Sequence, residues 1–187
     1  MSEEYLISQA APTLAGLKTG NLFPCCYSSW SSLLKEIRAV NRLLSSKGLC
    51  LIPLRHRNNR ALLYLYRPAR LAKDLSETEA AALLRREGYS DLRHTRCLAE
   101  LICRLQRFEE FPHEIGLFLS YPPEDVRGFM EHAGRGCKCV GCWKVYGDEQ
   151  KARNTFRAYK HCTDCYRARG AMGTSLERLA VADNNNA

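Results

Sequence analysis

No window of the chain approaches the roughly 18 uninterrupted apolar residues that a membrane-spanning helix needs, so no membrane association of that kind is expected. Residues 1–20 hold neither the basic n-region nor the apolar h-region of a signal peptide, which leads us to expect a soluble, cytoplasmic protein. Low-complexity sequence is lacking except at Asp183-Asn184-Asn185-Asn186, and residues 183–187 are therefore read as a disordered tail. There is no zinc-protease helix motif either: after His113-Glu114, Leu117 stands where the second histidine belongs. Acidic residues are in deficit, 20 against 28 Lys and Arg, for a net charge of +8. Such a balance suits nucleic acid or acidic partners, although the two signs are interspersed along the chain.

With 187 residues the chain suits one well-buried domain, expected over 1–182. Ten cysteines are many. Without an export signal a disulfide scaffold is disfavoured, which leaves metal binding, redox chemistry or reduced burial to account for them.

Residues 1–27 are punctuated by Pro12, Gly16, Gly20 and Pro24 too closely for a long helix, and read as a compact loop or short strand with Leu14, Leu17, Leu22 and Phe23 turned inward. Lys18 lies among them as a candidate ligand-binding cation, or as a solvated lysine. Ser31 or Ser32 is expected to cap an amphipathic helix that ends at Gly48. A hairpin follows over 49–66, with Asn58-Asn59 suited to the positive φ angles of a tight turn and Pro53 marking an edge or a bulge. Its tip gathers Arg55, Arg57 and Arg60, either a phosphate-contacting finger or a solvated turn. Residues 68–108 carry helical periodicity, with a capping box at Ser76 and Glu79 and a cap at Asp91.

The densest chemistry lies in 111–148. Ile115 to Tyr121 form a continuous apolar run of strand length, read as an interior strand. Glu124 and Asp125 then complement the dipole of the next helix. His113 and Glu114 stand at the entrance to the run as candidates for acid–base work, or as a helix cap and an arginine partner. In Trp143-Lys144-Val145-Tyr146 the alternation sets Trp143 and Val145 on one face and Lys144 and Tyr146 on the other, where the latter pair can meet an anionic or carbonyl group. Cys139-x-x-Cys142 and Cys162-x-x-Cys165 have the spacing of a paired zinc site, and an iron–sulfur centre or thiol redox pair fits the same run.

Three motifs in this order resemble a bacterial family known as a domain of unknown function and common in anaerobes. They are A-P-T-L-A-G-L-K-T-G-N-L-F (11–23), F-P-H-E-I-G-L-F-L-S-Y-P-P-E-D-V (111–126) and G-C-W-K-V-Y-G-D (141–148). The resemblance implies a setting in iron- or flavodoxin-linked metabolism and carries no assigned reaction. Its relatives have a His-Cys pair where this chain has Gln9-Ala10, which weakens a cysteine-hydrolase reading, and a glycine where this chain has Ser120.

The expected fold is α+β in one domain, with a mixed sheet of about five strands (49–54, 61–66, 115–121, 142–146 and 175–181) packed with helices. The leading expectation is a protein that binds a small ligand or cofactor through Lys18, His113, Glu114, Lys144 and Tyr146. One alternative is an enzyme that uses His113, Glu114 and Lys144. The other is a basic nucleic-acid-binding protein.

Overall fold

Along the chain the computed structural model runs through α1 (Glu3–Leu14), β1 (Gly20–Cys26), α2 (Trp30–Leu44), β2 (Cys50–Arg57), β3 (Arg60–Tyr66), α3 (Pro68–Ser76), α4 (Thr78–Arg86) and α5 (His94–Arg107). It continues through α6 (Ile115–Phe118), α7 (Pro123–Glu131), β4 (Cys139–Val140), β5 (Lys144–Val145), α8 (Glu149–Ala171) and α9 (Leu176–Leu179). Residues 1–107 and 110–183 are described. They divide into two compact units, Met1–Ala69 with Tyr159–Ala187, and Arg70–Ala158. No described helix is long and apolar enough to cross a membrane.

The first unit is built on an antiparallel sheet in the order β1-β3-β2. Asn58 and Asn59 take φ of 50° and 59°, the left-handed geometry a two-residue hairpin turn demands, and join β2 to β3 with Arg57 opposite Arg60. The register shifts between Pro53 and Arg55, so the proline sits at a bulge on an edge strand, where its missing N–H breaks no ladder bond. Helix α2 begins one cap earlier than expected: the Ser29 hydroxyl accepts from Ser32 N–H. It docks on β2 through Asn41, whose amide donates to Leu51 O at 2.9 Å while its oxygen accepts from Leu51 N–H at 2.7 Å.

Two segments of this unit correct the sequence reading. Residues 3–14 form a helix, capped by Ser2, and not a loop. Pro12 is accommodated in its last turn, and the backbone leaves helical geometry at Ala10 (φ −130°), which is how the chain absorbs a ring with no N–H to give. Leu14 and Phe23 are buried as expected, whereas Leu17 is exposed. Residues 175–181 are not a strand: Leu176 and Leu179, three apart, share one face of the single turn α9 and enter the core with Leu6, Ile7 and Leu14.

The guanidinium of Arg67 is completely buried in this unit. Its Nε donates to Thr13 O (2.9 Å), its Nη2 to Leu14 O (2.9 Å) and Val181 O (2.7 Å), and its Nη1 pairs with Asp183 at 2.9 Å. It thereby occupies carbonyls that the end of α1 leaves without intrahelical donors. Asp183, read as the first residue of the tail, is held by this pair, and residues 184–187 lie outside the described residues.

In the second unit the run 115–121 is a helical turn rather than an interior strand. Leu119, Ser120 and Tyr121 N–H return to Ile115, Leu117 and Gly116 carbonyls, so the segment satisfies its own backbone while burying its side chains. A Cβ on Gly116 would meet Val126 at 2.8 Å, and Ser120 sits at φ 54°, the left-handed geometry that makes a glycine natural at this position. The five-stranded mixed sheet is therefore replaced by the three-stranded antiparallel sheet and a separate two-stranded hairpin, β4-β5. The capping box at Ser76 does not form, since Ser76 Oγ donates back to Lys73 O.

Cys97 is fully buried in α5, and its thiol donates to Asp91 O at 3.4 Å. Burial, and then the Asp91 charge, push it up to about 11 from an ordinary 9.0. A raised thiol keeps its proton in the folded state, so its contribution is complete below about pH 9 and drains away as pH rises toward about 11. Cys97→Ala is accordingly expected to flatten the fall of the urea midpoint across that window. Midpoints of the two proteins that fall in parallel would contradict this.

Candidate functional site

The second unit encloses a cavity of about 300 Å³, at the lower end of the range for small-molecule sites. Its base is Ile115 and Gly116 of α6 and Asp125 and Val126 of α7; its walls are aromatic, and His113 and Lys144 also line it. Tyr121 stacks on Trp143 at 4.8 Å, and Phe156 braces the indole edge-on at 4.5 Å. Gly141 is required where the hairpin passes that brace, because a Cβ there would lie 2.2 Å from the Phe156 ring.

Asp125 fixes the indole. Its carboxylate is buried, with Oδ2 accepting from Trp143 Nε1 at 2.7 Å and Oδ1 from the N–H groups of Tyr146 and Gly147, both at 2.7 Å. Three charge-assisted bonds answer the cost of burying this group and hold the end of β5 against α7. Sequence reasoning took Asp125 for a helix-dipole residue. Its position in the first turn of α7 agrees with that, but its side chain turns inward to the hairpin.

His113 and Lys144, both singled out in the sequence, are brought to the same cavity. The His113 ring meets Phe129 edge-on at 4.9 Å, and Lys144 Nζ lies 5.6 Å from the centroid of the same phenyl ring. Lys144 Nζ also donates to Gly134 O at 2.8 Å, which leaves an ammonium with further donors at the cavity wall. Trp143 and Val145 are buried and Lys144 and Tyr146 only partly so. Lys144 shares the cavity with Trp143, however, while Tyr146 does not line it, so the expected joint face of Lys144 and Tyr146 does not form one site.

Glu114 is used differently. It is buried, and its Oε1 accepts from Tyr89 OH at 3.1 Å and Arg104 Nη1 at 3.2 Å; Arg104 in turn lies 4.5 Å over the Tyr89 ring. Burial and the Glu114 charge push the Tyr89 hydroxyl well up, so it stays a donor to that carboxylate. With His113 and Glu87, Glu114 and Arg104 line a second, more open recess of about 540 Å³. Packing and pairing account for Glu114 fully.

Tyr146 stacks on the exposed His132 ring at 5.7 Å and fills the space over Gly128, where a Cβ would fall 2.4 Å from its ring. Its hydroxyl is buried and has no hydrogen-bond partner among the described residues, and burial pushes its pKa upward. Lys18 belongs to the first unit. It is buried rather than solvated, with Nζ 5.9 Å from the Tyr159 ring centroid.

All ten cysteines are free thiols. Cys139 lies in β4 and Cys142 in the β4-β5 turn, both in the second unit. Cys162 and Cys165 lie one turn apart on α8 in the first, with Cys165 Sγ 3.6 Å from His161 Nε2. Among the described residues, no group of three or more His, Cys, Asp or Glu side chains is placed to hold a metal ion.

Of the cavity residues, Phe129, Tyr121 and Asp125 were not anticipated as parts of a site. Their signal in the sequence is only their place in α7 and beside the Pro122-Pro123 break.

No curated protein and no solved structure matches the chain. A family model described as "Protein of unknown function (DUF3793)" matches residues 6–180, and the chain belongs to that family.

Proposed function

We propose that this member of the DUF3793 family binds a compact, flat and largely apolar molecule carrying a carboxylate or carbonyl group in the cavity of its second unit. The observation that carries the reading is the lining: stacked aromatic walls with the Lys144 ammonium and His113 imidazole beside them. Aromatic faces hold a planar ligand, while a small number of polar groups orient it. Asp125 does not compete for that role, because its oxygens already accept three N–H bonds.

The chain has two tryptophans, Trp30 and Trp143, so Trp30→Phe makes the cavity indole the sole reporter. Titrating this protein with aromatic carboxylates and with their neutral carboxamide and unsubstituted counterparts is expected to quench Trp143. Lys144→Met should weaken the carboxylates about tenfold and leave the unsubstituted rings nearly unchanged. Phe129→Ala should weaken every ring about tenfold. A panel that leaves Trp143 fluorescence unmoved, or that binds Phe129→Ala as tightly as the parent, would sink the proposal.

A further inference from the structure

The hairpin tip of the first unit carries aromatic chemistry that its sequence alone did not show. Trp30, the first residue of α2, stacks on His56 near the end of β2, with centroids 4.0 Å apart and planes 16° from parallel. Tyr27 closes the group, its ring 5.7 Å from Trp30 and its hydroxyl 3.4 Å from His56 Nδ1. The imidazole is exposed, so one of its faces is covered by the indole and the other meets solvent. Arg57 and Arg60 face each other across the turn, both exposed, and neither has an ion pair among the described residues.

The same polarity continues along α2. Lys35, Arg38 and Arg42 are exposed and spaced three and four apart, which sets them along one side of the helix, and none of them is ion-paired among the described residues. Glu36, the acidic residue of this helix, is taken up by the Met1 amine. This surface thus gathers five exposed cations, none ion-paired among the described residues, beside a solvent-facing stacked ring.

We propose that this surface binds single-stranded nucleic acid. Phosphates would be met by Arg57, Arg60 and the α2 cations, and a base would stack on the open face of His56, itself backed by Trp30. Both halves of the arrangement are needed for that ligand: cations track a backbone without reading it, and a stacked platform holds any base. A duplex offers no free base face, and an acidic polypeptide makes no use of the platform.

The test uses the full chain and fluorescence anisotropy with oligothymidylate and oligouridylate of about 15 nucleotides. With the five cations each meeting a phosphate, affinity is expected to fall about a hundredfold between roughly 50 and 200 mM salt. Arg57→Ala with Arg60→Ala, confined to the exposed turn, should lower the salt slope by about 1.4. His56→Ala should weaken binding about fivefold or more with the slope unchanged. Preference for one oligomer over the other tells whether DNA or RNA is the ligand.

Absence of binding at the lowest salt overturns the proposal, as does binding that both variants leave intact. Equal affinity for polyglutamate with no effect of His56→Ala overturns it in favour of a general acidic partner. Retention on phosphatidylserine vesicles without retention of either oligonucleotide overturns it in favour of a membrane surface.

Discussion

Arg67→Met is expected to destabilise the first unit by about 3–5 kcal/mol, read as a lowered urea midpoint with little change in slope. The side chain that replaces it fills similar volume but donates nothing. The carbonyls of Thr13 and Leu14 then each lose one of two donors, keeping the N–H groups of Gly16 and Val181, while the Val181 carbonyl loses its guanidinium donor and Asp183 loses its cation. Unsatisfied buried acceptors cost more than a typical hydrogen bond contributes, because water cannot reach them. Arg67→Lys should recover only part of the loss, since an ammonium cannot span the separate acceptors that the planar fork meets at once. Asp183→Asn is the milder change, about 1.5–3 kcal/mol, because it removes one charged partner and leaves the carbonyl bonds in place. A cost under about 1 kcal/mol for Arg67→Met would show that the Val181 carbonyl and the Asp183 carboxylate find other partners.

Asp125→Ala carries the second large effect, about 3–5 kcal/mol on the second unit, because it strands three donors in a dry place. Its spectroscopic consequence is more specific. In the Trp30→Phe background, the Trp143 emission is expected to move to the red as the freed indole N–H seeks water, and the aromatic carboxylates should no longer quench it. Asp125→Asn separates the two halves of the contact. Its single amide oxygen can keep the Tyr146 and Gly147 N–H bonds, which leaves the amide N–H facing the indole N–H, so a loss of about 1.5–3 kcal/mol is expected with the hairpin retained. Unaltered Trp143 emission in both variants would mean that packing against Tyr121 and Phe156 is enough to hold the ring.

The parts of the fold that local chemistry determines were legible in the sequence. The Asn58-Asn59 turn, the Pro53 bulge and the α2 stripe each follow from what a few neighbouring residues allow. What failed was decided by tertiary context. An apolar run such as 115–121 is buried on all sides whether it is extended or helical, so periodicity has nothing to discriminate. The Leu176–Leu179 turn is too short to show a period at all. Pro12 argued against a helix that packing against β1 nonetheless imposes.

The site divides in the same way. His113 and Lys144 stood out by residue type and meet in one cavity, whereas Glu114 stood out equally and is a pairing residue. Asp125 and Phe129 looked ordinary because their importance lies in what they touch across the fold. The Trp30–His56 stack joins residues 26 positions apart, a distance at which a linear reading has no reason to pair them.

The Arg67 cluster also bears on when the protein can fold. Its acceptors come from α1, near the beginning of the chain, and from Val181, while the ion pair uses Asp183. The second unit, by contrast, is one uninterrupted segment, Arg70–Ala158. During synthesis that middle segment can complete its own contacts while the three-stranded sheet waits, its arginine still hydrated, for the ribosome to release α9 and the residues that follow. Helices α1 and α2 can already pack on that sheet, so what the delay leaves open is the part of the core that Leu176, Leu179 and Ala180 fill.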